Sequence, residues 1–230
     1  VGGDRDGNPF VNVAVTEETL RAQKDAVLER YAQEVEALYD HLSSGRSRVG
    51  FSTAFLDSLA RDLDLVPAQE REVLDRFEQE PYRQKLILMF RRLEATRAEN
   101  RLPWQARKLD PRAYTSAASF LADLRLIYDS LYQNKGERLA RGRLSDLIRQ
   151  VEVFGFHLAT LDIRQHSARH RSAMAEILAR YGLAAHYETM NESERVALLS
   201  REIAGQRPLT ARLDFGDETN ETLELFRLIR

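Results

Sequence analysis

The chain contains no cysteine. That excludes a disulfide framework, a thiolate nucleophile and a zinc–thiolate centre. Lysine is almost as scarce: of the 34 Lys and Arg residues, only Lys24, Lys85, Lys108 and Lys135 are lysines. Basic and acidic residues nearly cancel, 34 against 36, leaving a net charge of −2. The basic excess of a nucleic-acid binder is therefore missing. No apolar run approaches the roughly 20 residues that span a bilayer, and no signal peptide is visible. The expected setting is the cytoplasm, without membrane or nucleic-acid partners. There is also no initiator Met, since Val1 opens inside a glycine-rich stretch, while Arg230 closes inside a helical pattern. The expectation is one excised piece, 1–230, of a longer polypeptide, with the remainder of that polypeptide as a partner. No fixed-period repeat or low-complexity segment is present.

What is present is helical periodicity. Leu20, Val27, Leu28, Tyr31, Val35, Leu38, Tyr39 and Leu42 keep a helical spacing from Thr16, which reads as the cap, to about Ser43. Leu28, Val35 and Leu42 lie seven apart, but two heptads suit a helix within a bundle better than a coiled coil. Further helices read from Ser52 to Leu63, from Pro67 to about Phe77, and from Pro81 through Leu93. Others follow a cap at Thr115 or Ser116, run from Leu144 to Val153, follow Asn191 with Glu194 completing a capping box, and run from Glu218 to the end. Glu99 to Asp110 reads as a polar surface loop and Pro208 to Gly216 as another. The divisions expected are a loop at 1–15, helical regions at 16–153 and 183–230, and a strand with its following helix at 154–182.

Two stretches break the helical texture. At the start, Gly2-Gly3-Asp4-Arg5-Asp6-Gly7-Asn8-Pro9 is turn-rich, its glycines allowing close backbone approach. Asp4, Asp6 and Asn8 mimic a calcium loop, but Pro9 stands where its Gly belongs and Val15 where its Glu belongs. The loop is either a plain turn, knitted by Arg5 between two aspartates, or the lining of a pocket. Later, Phe156, Leu158, Leu161 and Ile163 form a short apolar run that reads as a strand buried on both faces. Val11 to Val15 is a weaker candidate for extended chain. Asp162, Arg164, Gln165 and His166 close the apolar run, and Ser167 can cap a helix ending at Gly182. Polar groups at the end of a buried strand are where α/β proteins place ligand chemistry. The alternative is a core strand whose terminal Arg pairs with an acid. An Arg fork suits a phosphate or carboxylate, which makes Arg164 the leading candidate. His166 and His170, four apart, lack the Glu and the third ligand of a metal motif and read as protein-bonded groups, and His157 as a satisfied core or interface residue.

FGFHLATLDIRQHSARH at 154–170 resembles a signature of the phosphoenolpyruvate carboxylases, and GGDRDGNP at 2–9 resembles another. Glu80-Pro81-Tyr82-Arg83 and Gln206-Arg207-Pro208-Leu209 fall in the same order as in that family. The resemblance implies carboxylation of phosphoenolpyruvate by bicarbonate to oxaloacetate and phosphate, with a divalent metal such as Mg²⁺. It implies that bicarbonate is phosphorylated to carboxyphosphate, and that the enolate captures the carbon dioxide released. It implies a mainly α chain, the helical expansion plus one or two strands of a (β/α)8-type phosphoenolpyruvate-binding barrel, assembled as a homotetramer. It places Arg164 on the substrate phosphate, with Asp162, Gln165, Arg5, Asp6 and Asn8 lining the pocket. The family's catalytic His motif, metal ligands and glycine-rich Arg loop are not found in the chain, so no residue here is a metal ligand and the piece alone is expected to be inactive. A non-catalytic helical scaffold is the alternative.

Overall fold

The computed structural model describes residues 2–6, 8, 10–106, 110–205 and 212–229. Among them the architecture is helical: α1 (Val13–His41), α2 (Thr53–Asp64), α3 (Ala68–Asp75), α4 (Pro81–Asn100), α5 (Ala117–Gln133), α6 (Glu137–Leu139), α7 (Ser145–Phe154), α8 (Ser167–Arg180), α9 (Glu192–Ala204) and α10 (Asp217–Ile229). The chain divides into two units. One is contiguous, Leu20–Thr160; the other is assembled from Val1–Thr19 and Leu161–Arg230.

In the contiguous unit the seven-residue spacing of α1 becomes a buried stripe. Leu28, Tyr31, Val35, Leu38 and Leu42 are all buried in one core with Phe55, Tyr82, Leu86, Met89, Phe120 and Leu147. Ser52 caps α2 by accepting from the Phe55 amide, Pro81 opens α4 in its first turn, and Ser116 and Ser119 form a reciprocal cap on α5. Tyr31 donates its hydroxyl to Gly155 O at 2.9 Å, or to Gln150 O at 3.2 Å, at the end of α7. Burial pushes its pKa up to about 12. The lysine at 85 is fully buried. Its ammonium donates to Ser58 Oγ (2.8 Å), Asp62 Oδ2 (2.6 Å) and Asp123 Oδ1 (2.7 Å), using all three of its protons. Arg92 reaches the other Asp123 oxygen at 2.9 Å and lies 3.9 Å from the centre of the Tyr114 ring. Tyr114 also donates to Asp123, and burial holds its hydroxyl well above the usual pKa. Two cations and two anions thus neutralise one another inside the helical core.

In the assembled unit, Leu178, Ala184, Tyr187 and Leu198 form a smaller core. Asn191 and Glu194 form the expected capping box on α9. Glu176 of α8 accepts from the Gly216 amide (2.8 Å) and the Thr219 hydroxyl, tying α8 to the start of α10.

Several expectations fail. Phe156–Ile163 is not a buried strand: it runs through turns and bends, and Leu158 through Thr160 and Asp162 are exposed. A two-sided strand needs backbone partners along its length, and among the described residues the one bridge here, parallel between Asp4 and Arg164, falls just past the end of this stretch. Val13–Val15 are helical rather than extended, and Asn12 rather than Thr16 caps α1, accepting from the Val15 amide at 3.0 Å. His166 rather than Ser167 caps α8, its Nδ1 accepting from the Ala168 amide at 3.2 Å. Helix α4 runs on through Glu99 to Asn100, which is buried, so the expected loop starts later. Gly7, Pro9, Lys108 and 206–211 lie outside the described residues.

Candidate functional site

The assembled unit brings the two motifs together. The Arg5 amide donates to Arg164 O at 3.0 Å, and the Arg164 amide donates to Gly3 O at 2.9 Å. This closes a parallel bridge centred on Asp4 and Arg164. Gly3 permits the approach, and Gly2 lets the loop fold against α1. A Cβ on Gly3 would stand 2.1 Å from Asp162 O, inside any real contact distance. Gly2 sits at φ +84°, and a Cβ there would stand 2.2 Å from Thr19 Oγ1. The glycine loop is therefore shaped for backbone-to-backbone contact with the Asp162–Arg164 segment.

The bridge sorts the side chains. In extended chain, successive side chains face opposite ways, so Asp4, Asp162 and Arg164 share one face and Arg5 takes the other. On the first face, Arg164 Nε and Nη2 both lie 2.8 Å from Asp162 Oδ2. Both side chains are open, with 67% and 71% of their surface exposed. The hydrogen bond to Asp162, its charge and that of Asp4 raise the Arg164 pKa. Asp162 takes two of the five guanidinium N–H groups, which leaves up to three for a ligand. Gln165 is half-buried, and its Oε1 accepts from the His166 amide at 2.9 Å.

On the other face Arg5 is buried, 7% exposed. Its Nη2 donates to Thr16 Oγ1 at 2.9 Å, while Nε and Nη1 are buried without a hydrogen-bond partner among the described residues. Glu221 Oε1 of α10 lies 4.0 Å from Nε, too far for a hydrogen bond, and its Oε2 accepts from Arg169 Nη1 at 3.2 Å. Burial lowers the Arg5 pKa, with Glu221 opposing and Arg169 adding to the effect; a guanidinium stays charged through such a shift.

The remaining candidates are looser. Asp6 and Asn8 are exposed, and Asn8 folds back to accept from the Phe10 amide at 3.0 Å. His170 packs at a tilt against Phe226 with ring centres 5.7 Å apart, and His157 is exposed on a turn rather than in a core. Among the described residues no three His, Asp or Glu side chains converge to hold a metal. Sequence reasoning missed Thr16 as a polar anchor: its hydroxyl is fully buried, 2.7 Å from Gly2 O and 3.1 Å from Asn12 O. A helical Thr amid polar neighbours reads as a cap, and nothing in the spacing shows that a loop folds back over it.

The third motif, in the contiguous unit, is packing. Tyr82 is buried against Phe51 and Phe55 with its hydroxyl 2.9 Å from Ser130 Oγ, and Arg83 lies over Tyr39 and pairs with Glu80 at 3.0 Å. A cavity in that unit, lined among others by Leu65, Val66, Leu88, Arg91, Arg92 and Arg112, holds none of the motif residues, and its arginines are paired with acids.

Comparison with known proteins covers the whole chain. The phosphoenolpyruvate carboxylase family matches residues 1–230. The chain is 42% identical over 235 residues to a phosphoenolpyruvate carboxylase of Roseiflexus castenholzii, covering 100% of this chain and 25% of that protein. It is 42% identical over 240 residues to the phosphoenolpyruvate carboxylase of Thermosynechococcus vestitus (100% and 23%), and 36% identical to that of Azorhizobium caulinodans (99% and 24%). The chain spans about a quarter of the length of these curated relatives.

Proposed function

Because the chain belongs to the phosphoenolpyruvate carboxylase family, we propose that the polypeptide carrying it adds bicarbonate to phosphoenolpyruvate, giving oxaloacetate and phosphate, and that Arg164 grips the substrate phosphate. The observation that supports this most is the bridge: two motifs 160 residues apart in sequence meet backbone to backbone. An exposed fork, steadied on one edge by Asp162, keeps N–H groups for a phosphate that would be held by charge and geometry together. Such fixed cations favour a reaction whose charge moves through phosphoryl, enolate and carboxylate forms, since they need no reorganisation as it moves. Gln165, Arg5, Asp6 and Asn8 line the surroundings in this reading.

The single bridge is parallel, as strand pairs in a (β/α)8 barrel are. In this reading Gly3–Arg5 and Asp162–Arg164 are the beginnings of two barrel strands completed by the rest of the polypeptide, and the contiguous helical unit is part of the helical expansion. Mg²⁺ finds no donor set among the described residues, and the reading assigns its ligands and the catalytic His to other parts of the polypeptide. The 230-residue chain alone is then inactive. A homotetramer in the cytoplasm is part of the same proposal. A scaffold role fits the contiguous unit, whose Glu80-Pro81-Tyr82-Arg83 motif is buried packing.

The test is steady-state kinetics of the full-length polypeptide with varied phosphoenolpyruvate. Arg164→Ala should lower kcat/KM by about 10²-fold or more, and Arg164→Lys should recover part of the loss, since a point charge lacks the fork. A folded Arg164→Ala enzyme with near-wild-type kcat/KM would return Arg164 to the scaffold.

A further inference from the structure

We propose that a cavity in the contiguous unit, between the 44–50 loop and the turn that follows α5, binds a small organic anion whose phosphate or carboxylate is held by Arg48 and Lys135. This is independent of the phosphoenolpyruvate reading, which survives its failure. The cavity measures about 390 Å³, within the range of roughly 300–1,000 Å³ of small-molecule sites. Its wall carries two cations, Arg48 and Lys135, and no acid. A concave surface lined by charge of one sign concentrates ions of the other. Three other cavities of the unit combine arginine with acid in one wall, as Arg92 with Asp62, Arg71 with Asp75 and Arg91 with Glu36. Arg92, Arg97 and Arg112 each meet at least two acids. Arg48 and Lys135 make no ion pair among the described residues. Ser44 and Gln133 add polar side chains to the wall, while Val49, Leu131 and Tyr82 add apolar surface for the carbon part of a ligand.

The loops that carry the two cations are anchored. The Ser52 amide donates to Ser130 Oγ at 3.0 Å, and Asn134 Nδ2 donates to Ser130 O at 2.8 Å, so one residue of α5 holds both. Gly50 lies against Asn134, where a Cβ would stand 2.4 Å from Oδ1. Lys135 itself is held at φ +65°, in the left-handed region that glycine enters at lower cost. A chain with only four lysines keeps one of them at this strained position, where glycine would end α5 as well.

Three probes that share a ring and differ in head group test the site: phenyl phosphate, benzoate and benzyl alcohol. Binding to the full-length polypeptide is followed by hydrogen-exchange mass spectrometry. Phenyl phosphate or benzoate should add protection at 44–50 and 133–139, benzyl alcohol should add none, and the tighter anion identifies the head group. Arg48→Gln and Lys135→Gly should each weaken binding at these segments by about 10-fold, and the double variant by about 10²-fold. Lys135→Gly removes the charge and relieves the backbone, so a loss of binding there is not a loss of fold; circular dichroism checks Arg48→Gln. Protection of 162–164 by phenyl phosphate, at the site proposed for phosphoenolpyruvate, should respond to neither variant. No added protection at 44–50 and 133–139 with millimolar probe would overturn the proposal, as would equal protection by benzyl alcohol or unchanged affinity in both variants. Equal protection by inorganic phosphate would mean an adventitious ion only and would overturn it too.

Discussion

Gly3→Ala tests the bridge most directly, because the required movement can be read from the geometry. The added methyl would stand 2.1 Å from Asp162 O, and that oxygen is backbone, so no side chain can swing aside. Restoring a contact of 3.0 Å requires the two segments to part by about 1 Å. The hydrogen bonds across them are 2.9 and 3.0 Å long, so the same displacement breaks or badly stretches both. Losing two backbone bonds costs about 1–3 kcal/mol. On the proposed reading the effect on turnover is of comparable size, since a misplacement of about 1 Å can cost roughly 10²-fold in rate, about 2.7 kcal/mol. Two measurements check this. In amide hydrogen exchange on the 230-residue chain, Arg5 and Arg164 should lose protection while the α4 amides keep theirs. In the full-length polypeptide, kcat/KM for phosphoenolpyruvate should fall by about 10²-fold. Retained protection at Arg5 and Arg164 would show that the bridge tolerates a methyl and refute the steric reasoning, whatever the kinetics.

Two further outcomes concern stability. Lys85→Met leaves Asp62 and Asp123 facing each other with Arg92 as the remaining cation, which should destabilise the contiguous unit by about 3–5 kcal/mol and lower its Tm on the order of 10 °C; an unchanged melt, followed by far-ultraviolet circular dichroism, would show that the network is dispensable. The Thr219 hydroxyl and the Gly216 amide hold the Glu176 carboxylate below its usual pKa of 4.5, so its contribution is fully present above that value and is lost as pH falls through the lower folded value. Glu176→Gln should therefore flatten the acid limb of stability, measured by urea unfolding between about pH 5 and pH 3, and identical limbs would contradict it.

The helices were legible because their signals are local. The seven-residue spacing of Leu28, Val35 and Leu42, the helix start near Ser52, Pro81 and the Asn191–Glu194 box each depend on residues within a turn or two. The strand at Phe156–Ile163 was misread because an apolar run looks the same whether or not neighbouring strands are present, and only pairing decides it. The caps at Asn12 and His166 were missed by one position or a few, at boundaries where several polar residues compete. At the site, the motifs were legible as residue strings, but the opposite facing of Arg5 and Arg164 follows from a bridge that no local pattern encodes.

That bridge also has a temporal side. It joins residues 4 and 164, and the contiguous unit, Leu20–Thr160, lies wholly between them. During synthesis at about 5–20 residues per second, Asp4 waits roughly ten to thirty seconds before Arg164 exists. Closing so long a loop from an unfolded chain is entropically slow, but the intervening helices are rich in short-range contacts and can form first. Once they have, the span that must find itself is shortened to the few residues flanking a folded body. The expected order of events is helical unit first and the Asp4–Arg164 bridge last, so a lesion such as Lys85→Met should also delay formation of that bridge.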